Sequence, residues 1–237
     1  MALTFPGLRD EVCRANMALV RDGLVTLSFG NASGVDRNAG VFLIKPSGVP
    51  YAELLPEHLV AVSLEDGRVV EGTLRPSSDT PTHLRLYQRF AEIGGIVHTH
   101  STAAAAWAQA GRSIPPFGTT HADHFFGPVP VTRQMTATEV EGEYEAETGN
   151  VMVEPLERLG LTALEMPAVL VASHGPFTWG RDATEAAENA TALEAVAAMA
   201  AGTLALDPEA APMADYLLRR HFLRKHGATA YYGQGRR

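Results

Sequence analysis

Three histidines carry the most chemistry in this chain. His98 and His100 close the stretch Gly94-Gly-Ile-Val-His-Thr-His100, and His174 follows a second apolar run, Val169-Leu-Val-Ala-Ser-His174-Gly, 74 residues beyond His100. Side chains alternate faces along a strand at about 3.3 Å per residue, so His98 and His100 point the same way, about 7 Å apart at Cβ. Two imidazoles so placed can converge on one metal ion, although a His-X-His pair alone is a weak signal that more often marks two solvent-facing or pocket histidines. The third strand-end histidine turns the reading toward a mononuclear site for zinc or a similar divalent ion, with a position left open for substrate.

Small-residue turns form a second group: Gly30-Asn31 with Ser33, Ser47-Gly48 after Lys45, and Ser77-Ser78. Backbone N–H groups at glycine turns, serine hydroxyls and a lysine are what a phosphate needs. Neither nucleotide signature, G-x-x-x-x-G-K-[ST] or G-x-G-x-x-G, is present, so the turns together fit a phosphomonoester better than a nucleotide. Asp79, before Thr80-Pro81, reads either as a helix cap or as a carboxylate near the metal. Asp123, among threonines and histidines in Thr119-Thr-His-Ala-Asp123-His124, reads as a general acid/base. His121, His124, His221 and His226 carry no individual assignment, His58 and His83 are expected at the surface, and Tyr231 and Tyr232 read as packing or disordered residues of a tail.

The elements that must position these groups follow from periodicity. Leu8, Val12, Ala15, Leu19 and Val20 predict a helix from about Leu8 to Asp22, stopped by Gly23. Strands are expected at Val25–Ser28, at Val41–Lys45 and in a hairpin joining Leu59–Leu64 to Arg68–Val70 through Asp66-Gly67. Pro81 opens a helix with Leu84, Tyr87 and Phe90 on one stripe. The His98 strand then turns at Ser101-Thr102 into an Ala-rich helix. An acidic helix is predicted from Thr136 to Glu147 and the His174 strand at Val169–Ala172. Asp182 and Glu185 resemble a capping box opening a helix that Gly202 would close, and a last helix spans about Met213 to His226.

Composition bounds the rest. The 237 residues carry 46% hydrophobic and 19% charged side chains, with no linker, repeat or low-complexity tract, so one domain spanning 1–237 is expected. The net charge of −8 argues against general nucleic-acid binding. Six Arg/Lys against one acid between Met213 and Arg237 form a basic face, solvated or steering an anionic substrate. No signal sequence is visible and no apolar run approaches the roughly 20 residues that cross a bilayer. The one cysteine, Cys13, reads as a packed thiol, and a cytoplasmic protein is expected.

Several motifs together resemble one family over essentially the whole chain. Ser28-Phe-Gly-Asn31, Ile44-Lys-Pro-Ser-Gly48, Pro76-Ser-Ser-Asp-Thr-Pro-Thr-His83, Gly94-Gly-Ile-Val-His-Thr-His100, Gly118-Thr-Thr-His-Ala-Asp123, Ser173-His-Gly-Pro176 and His226-Gly-Ala-Thr-Ala-Tyr-Tyr-Gly-Gln234 look like the L-ribulose-5-phosphate 4-epimerase family, a branch of the class II sugar-phosphate aldolases. The resemblance implies divalent-metal (zinc) ligands at Asp79, His98, His100 and His174. It implies substrate and phosphate contacts at Gly30, Asn31, Ser47, Gly48, Ser77 and Ser78, with Lys45 close by, and acid/base residues at Asp123 and Tyr232. The implied fold is a single α/β domain with a largely antiparallel sheet between helical layers, whereas strand–helix alternation alone would suggest parallel βαβ units. The implied assembly is a homotetramer with interfacial sites, acting on a phosphorylated ketopentose in carbohydrate catabolism, of arabinose or of the ascorbate type. The implied reaction inverts C4 of the sugar by retro-aldol cleavage. The aldolase branch carries glutamate where Asp79 stands, so a fuculose- or rhamnulose-phosphate aldolase is the rival. A non-catalytic scaffold of the adducin-head kind, expected to lose metal ligands, is more remote.

Overall fold

The computed structural model describes residues 4–233, so the Arg236-Arg237 extension and Gln234 lie outside the described residues. In chain order the elements are helix α1 (Pro6–Arg21), strands β1 (Asn31–Asp36), β2 (Val41–Ile44), β3 (Val60–Ser63) and β4 (Val69–Glu71), helix α2 (Thr80–Arg89) and strand β5 (Gly95–His98). Helices α3 (Thr102–Gln109), α4 (Thr119–Ala122), α5 (Ala137–Glu141) and α6 (Tyr144–Leu159) follow. Strands β6 (Ala168–Leu170) and β7 (Pro176–Gly180) and helices α7 (Ala183–Leu206) and α8 (Asp215–His226) complete the chain.

The strands form one seven-stranded sheet in the order β4-β3-β2-β1-β5-β7-β6, and every neighbouring pair is antiparallel. The antiparallel expectation holds, against what strand–helix alternation alone suggests. Helices cover both faces. Leu43, Ala61 and Val97 pack under α1 and α7, while their strand neighbours Phe42, Val62 and Ile96 face the other way, into a cluster with Leu86 and Tyr87 of α2 and Met152 and Leu156 of α6. Complete burial of each Val, Leu, Ile, Phe or Met among them contributes about 1.5–3 kcal/mol. The indole N–H of Trp179, fully buried in the second cluster, donates to the Ala163 carbonyl at 2.7 Å.

Close packing explains the glycines before the histidine strand. A Cβ on Gly94 would fall 1.9 Å from the Arg181 carbonyl oxygen, and one on Gly95 2.4 Å from the Ala183 backbone. Only bare backbone lets the start of α7 approach β5 so closely.

Four expectations are corrected. Residues 25–28 form no strand; β1 starts three residues later, in the segment whose small and polar residues read as a turn. The acidic helix is two, because Gly142 ends α5 before α6 begins. Gly202 lies inside α7, which continues to Leu206. That helix is 24 residues long and holds a stretch with a mean hydropathy of 1.3, long and apolar enough to cross a membrane by length and composition, although its sequence contains no unbroken apolar run of that length. Here Ala186, Ala190, Leu193 and Val196 of α7 are buried against the rest of the fold. Cys13 is buried, as expected of a packed thiol.

Candidate active site

The site forms where β5 runs out. His98 is the last residue of β5 and is buried, and its Nδ1 lies 3.0 Å from the Pro176 carbonyl oxygen. A carbonyl can only accept, so Nδ1 carries the proton and Nε2 presents its lone pair. His100 lies two residues past the strand, with its Nε2 3.0 Å from that of His98. His174 sits not on a strand but in the tight turn from β6 to β7, where the Val171 N–H donates to the Gly175 carbonyl at 2.9 Å. Its neighbour Ser173 adopts a left-handed φ of 61° and hydrogen-bonds Gln134 at 3.0 Å. That conformation costs a non-glycine residue about 1–3 kcal/mol and aims the next side chain at the other two rings.

The three histidines offer ligand atoms within 4.8 Å of one another. The buried Nδ1 of His174 has no hydrogen-bond partner among the described residues, and the His98 ring stacks on Phe177 at 4.1 Å. Burial lowers the His98 pKa to about 3, and that of His174 also moves down, so both rings are neutral lone-pair donors at neutral pH. Three converging imidazoles, those of His98 and His174 kept neutral by burial, with an orphaned buried nitrogen fit a divalent cation. Asp79 lines the same cleft but is not among the three clustered residues. Its Oδ2 accepts a 2.6 Å hydrogen bond from Asn31 Nδ2, and its side chain caps nothing at the start of α2. Burial alone would raise the Asp79 carboxyl pKa; the His98 and His83 rings and the Asn31 amide outweigh it, and the net direction is down.

Beside the histidines stand the small-residue turns. The Ser77 N–H donates to the Lys45 carbonyl (3.1 Å) and the Ser47 N–H to the Arg75 carbonyl (2.9 Å), which ties the two turns into one wall. Lys45 is 2% exposed. Its Nζ lies 4.7 Å from the Tyr51 ring centre and 3.4 Å from the Pro46 carbonyl oxygen, and it has no ion pair among the described residues. Burial pushes its pKa down. A buried ammonium without a counter-ion is costly unless an anion joins it. Gly30, at a φ of 81°, passes so close beneath His98 that a Cβ would sit 2.7 Å from that residue's carbonyl oxygen; a Cβ on Gly175 would be 2.8 Å from the Thr99 carbonyl oxygen.

One cleft of about 330 Å³ is therefore lined by Gly30, Asn31, Lys45, Ser47, Gly48, Ser77, Ser78, Asp79, His98, His100 and His174. Sequence reasoning missed Tyr144 and Glu145 on its rim, at the first turn of α6, where Glu145 is anchored by Thr82 Oγ1 donating 2.6 Å to its carbonyl. Their only signal was an aromatic residue within an acidic run. His83, expected at the surface, is fully buried, because Asp79, His83 and Tyr87 recur every four residues on the inner stripe of α2.

Asp123 and Tyr232 do not line this cleft. They gather around Arg224 of α8. Asp123 accepts from Arg224 Nη2 (2.8 Å), Arg224 Nε (3.1 Å) and His221 Nδ1 (3.1 Å). The Arg224 guanidinium carbon lies 4.2 Å from the centre of the Tyr232 ring, and the Tyr232 N–H donates to the Arg224 carbonyl at 3.1 Å. Burial works against the ionised Asp123 carboxylate, but the Arg224 and His221 hydrogen bonds prevail and hold its pKa below the usual range.

A curated relative from Salmonella paratyphi B named L-ribulose-5-phosphate 4-epimerase UlaF is 53% identical over 227 residues, covering 96% of this chain and 98% of its own. The protein of that name from Salmonella typhi matches to the same extent. Among solved structures, an L-fuculose 1-phosphate aldolase superposes with a TM-score of 0.76 at 24% identity, covering 93% and 96% of the two chains. YgbL of Escherichia coli does so with 0.72 at 26% identity, covering 91% and 97%. Residues 10–201 match the model of the class II aldolase and adducin N-terminal domain, and the chain belongs to that family.

Proposed function

We propose that this protein interconverts L-ribulose 5-phosphate and D-xylulose 5-phosphate by breaking and remaking the C3–C4 bond. The observation that carries the reading is the cleft itself, which sets three converging imidazoles beside paired serine turns and a buried lysine that has no counter-ion among the described residues. Near-full-length identity to proteins named as this epimerase supports it. C4 lies one carbon too far from the ketone to lose its proton directly, and the route open to a metal-assisted site is retro-aldol cleavage to an enediolate and glycolaldehyde phosphate.

His98, His100 and His174, with Asp79, would hold the divalent ion, which we take to be zinc. When bound, it supplies Lewis-acid stabilisation of the negative charge that develops on the substrate as the bond breaks. Lys45 with the Ser47-Gly48 and Ser77-Ser78 turns would bind the phosphate, and Gly30 and Asn31 the adjoining substrate. Holding the phosphate keeps the aldehyde fragment in place while it presents its other face. Asp123 and Tyr232 would exchange the C4 hydroxyl proton on the two sides. Both lie outside the cleft of their own chain, which supports a homotetramer in which the α8 end of one subunit completes a neighbour's site. We place the enzyme in the cytoplasm and read residues 1–237 as one domain.

The test is a coupled assay of the purified protein with L-ribulose 5-phosphate, with and without chelator. Metal-dependent formation of D-xylulose 5-phosphate is expected. Release of free aldehyde without epimer would favour the aldolase reading; inertness of the metal-loaded protein toward this sugar would defeat the epimerase one.

A further inference from the structure

Behind Asp79 runs a row of buried polar groups, of which the proposed chemistry uses only Asn31. Asn31 and Ser33 lie two apart on β1, and Asp79, His83 and Tyr87 lie four apart along the start of α2. Two residues of strand advance about 6.6 Å and four of helix about 6 Å, so the two series stay in step. Asn31 Nδ2 donates to Asp79 Oδ2 at 2.6 Å. One step further along, Ser33 Oγ meets His83 Nδ1 at 2.7 Å and Tyr87 OH at 2.8 Å.

Asn31, Ser33, His83 and Tyr87 are at most 3% exposed, and the row borders the apolar cluster of Phe42, Ile96 and Phe177. The His83 ring meets Phe177 edge-on at 6.2 Å, and its Nε2 has no hydrogen-bond partner among the described residues. Burying a polar atom unpaired is costly, so an apolar row of the same shape would stabilise this interface at least as well. What polar pairs add is direction, since they are satisfied in one register of α2 on β1 and broken in others.

We propose that Ser33 and His83 are positioning residues that fix the start of α2 against β1 and so hold the Asp79 carboxylate toward the histidine triad. The inference rests on the reading of Asp79 as a metal ligand. A slip or tilt of α2 would carry Asp79 away from Asn31, which stands opposite His98 in the β1–β5 pairing. Groups that orient a ligand in this way typically change metal affinity about 10–100-fold when removed.

The experiment measures Zn(II) affinity by chelator competition, together with thermal midpoint, for wild type, Ser33→Ala, His83→Phe, His83→Asn and Asp79→Asn. Ser33→Ala and His83→Phe should stay folded and bind Zn(II) about tenfold or more weakly. His83→Asn, whose amide can stand where Nδ1 stood, should recover most of the affinity. Wild-type affinity in folded Ser33→Ala and His83→Phe would overturn the proposal. Loss of fold in both would overturn it too, because the row would then be holding the core rather than aiming a ligand. Wild-type affinity in Asp79→Asn would refute the ligand assignment itself, a separate failure.

Discussion

Arg224 grips both carboxylate oxygens of Asp123, with Nη2 2.8 Å from Oδ2 and Nε 3.1 Å from Oδ1. This two-point contact fixes the plane of the carboxylate as well as its position. The same guanidinium lies over the Tyr232 ring, so one arginine presents both proposed acid/base groups together.

Asp123→Asn and Tyr232→Phe should each lower turnover about 10²–10⁴-fold, the usual contribution of a general acid/base, with metal content unchanged. If sites are shared between subunits, co-refolding the two inactive variants should restore no activity, because both lesions fall on the same donated surface. Restoration would mean that the two groups come from different chains. Wild-type turnover by either single variant would remove its catalytic role.

Metal analysis of the purified protein should find about one divalent ion per chain, the number that one mononuclear site holds. His98→Ala or His174→Ala should abolish that ion and the activity together. Full activity after exhaustive chelation, with no metal detected, would end the metal reading.

Ser47→Ala should raise KM for the phosphorylated sugar, the loss of one charge-assisted hydrogen bond costing about 1.5–3 kcal/mol. Ser77→Ala should do so too and also weaken metal binding, because Ser77 Oγ accepts from Asn31 Nδ2 at 3.1 Å and from the Asp79 N–H at 3.3 Å. Unchanged KM in both variants would take the phosphate away from these turns.

The metal-free protein should lose stability as the pH falls from about 6.5 toward about 4. Burial lowers the pKa of His83 and of His121 to about 4, against 6.5 for an unperturbed ring. The unfolded chain therefore binds protons in that window that the folded chain excludes, and unfolding becomes easier with acid. The full loss is on the order of 3 kcal/mol per ring. Urea unfolding across the window should show the slope, and His121→Gln should flatten it. A flat wild-type profile would contradict the buried, neutral assignment.

Much of this was legible in the sequence where one element has one environment. Leu8, Val12, Ala15 and Leu19 reported α1 because a helix with one dry face repeats every 3.6 residues. The histidine strand was legible because its Ile-Val core is bounded by glycines. β1 was not: Asn31-Ala-Ser-Gly-Val-Asp36 has turn composition, yet it sits mid-sheet. Its small residues are needed there, since a Cβ on Gly34 would meet Val12 Cγ2 at 2.7 Å. β7 hid behind its opening proline, a position where strands tolerate proline. The cleft residues could be named from motifs, but the separate gathering of Asp123 and Tyr232 depends on how α8 docks against α4, which local spacing does not encode.

The two glycines flanking the His98–His100 segment have a consequence for redirecting this enzyme toward other sugars. Gly30 and Gly175 press bare backbone against the His98 and Thr99 carbonyl groups, leaving no room for even a methyl group. A mutant library aimed at the floor of the cleft would be filled with misfolded or metal-free clones. The walls have slack: Ser28 and Phe29 lie in a loop where Phe29 is 51% exposed, and Tyr144 and Glu145 project from a helix start. Diversity in substrate length and stereochemistry, in the laboratory or in lineages descended from this fold, should therefore collect on those two rims while the floor stays invariant.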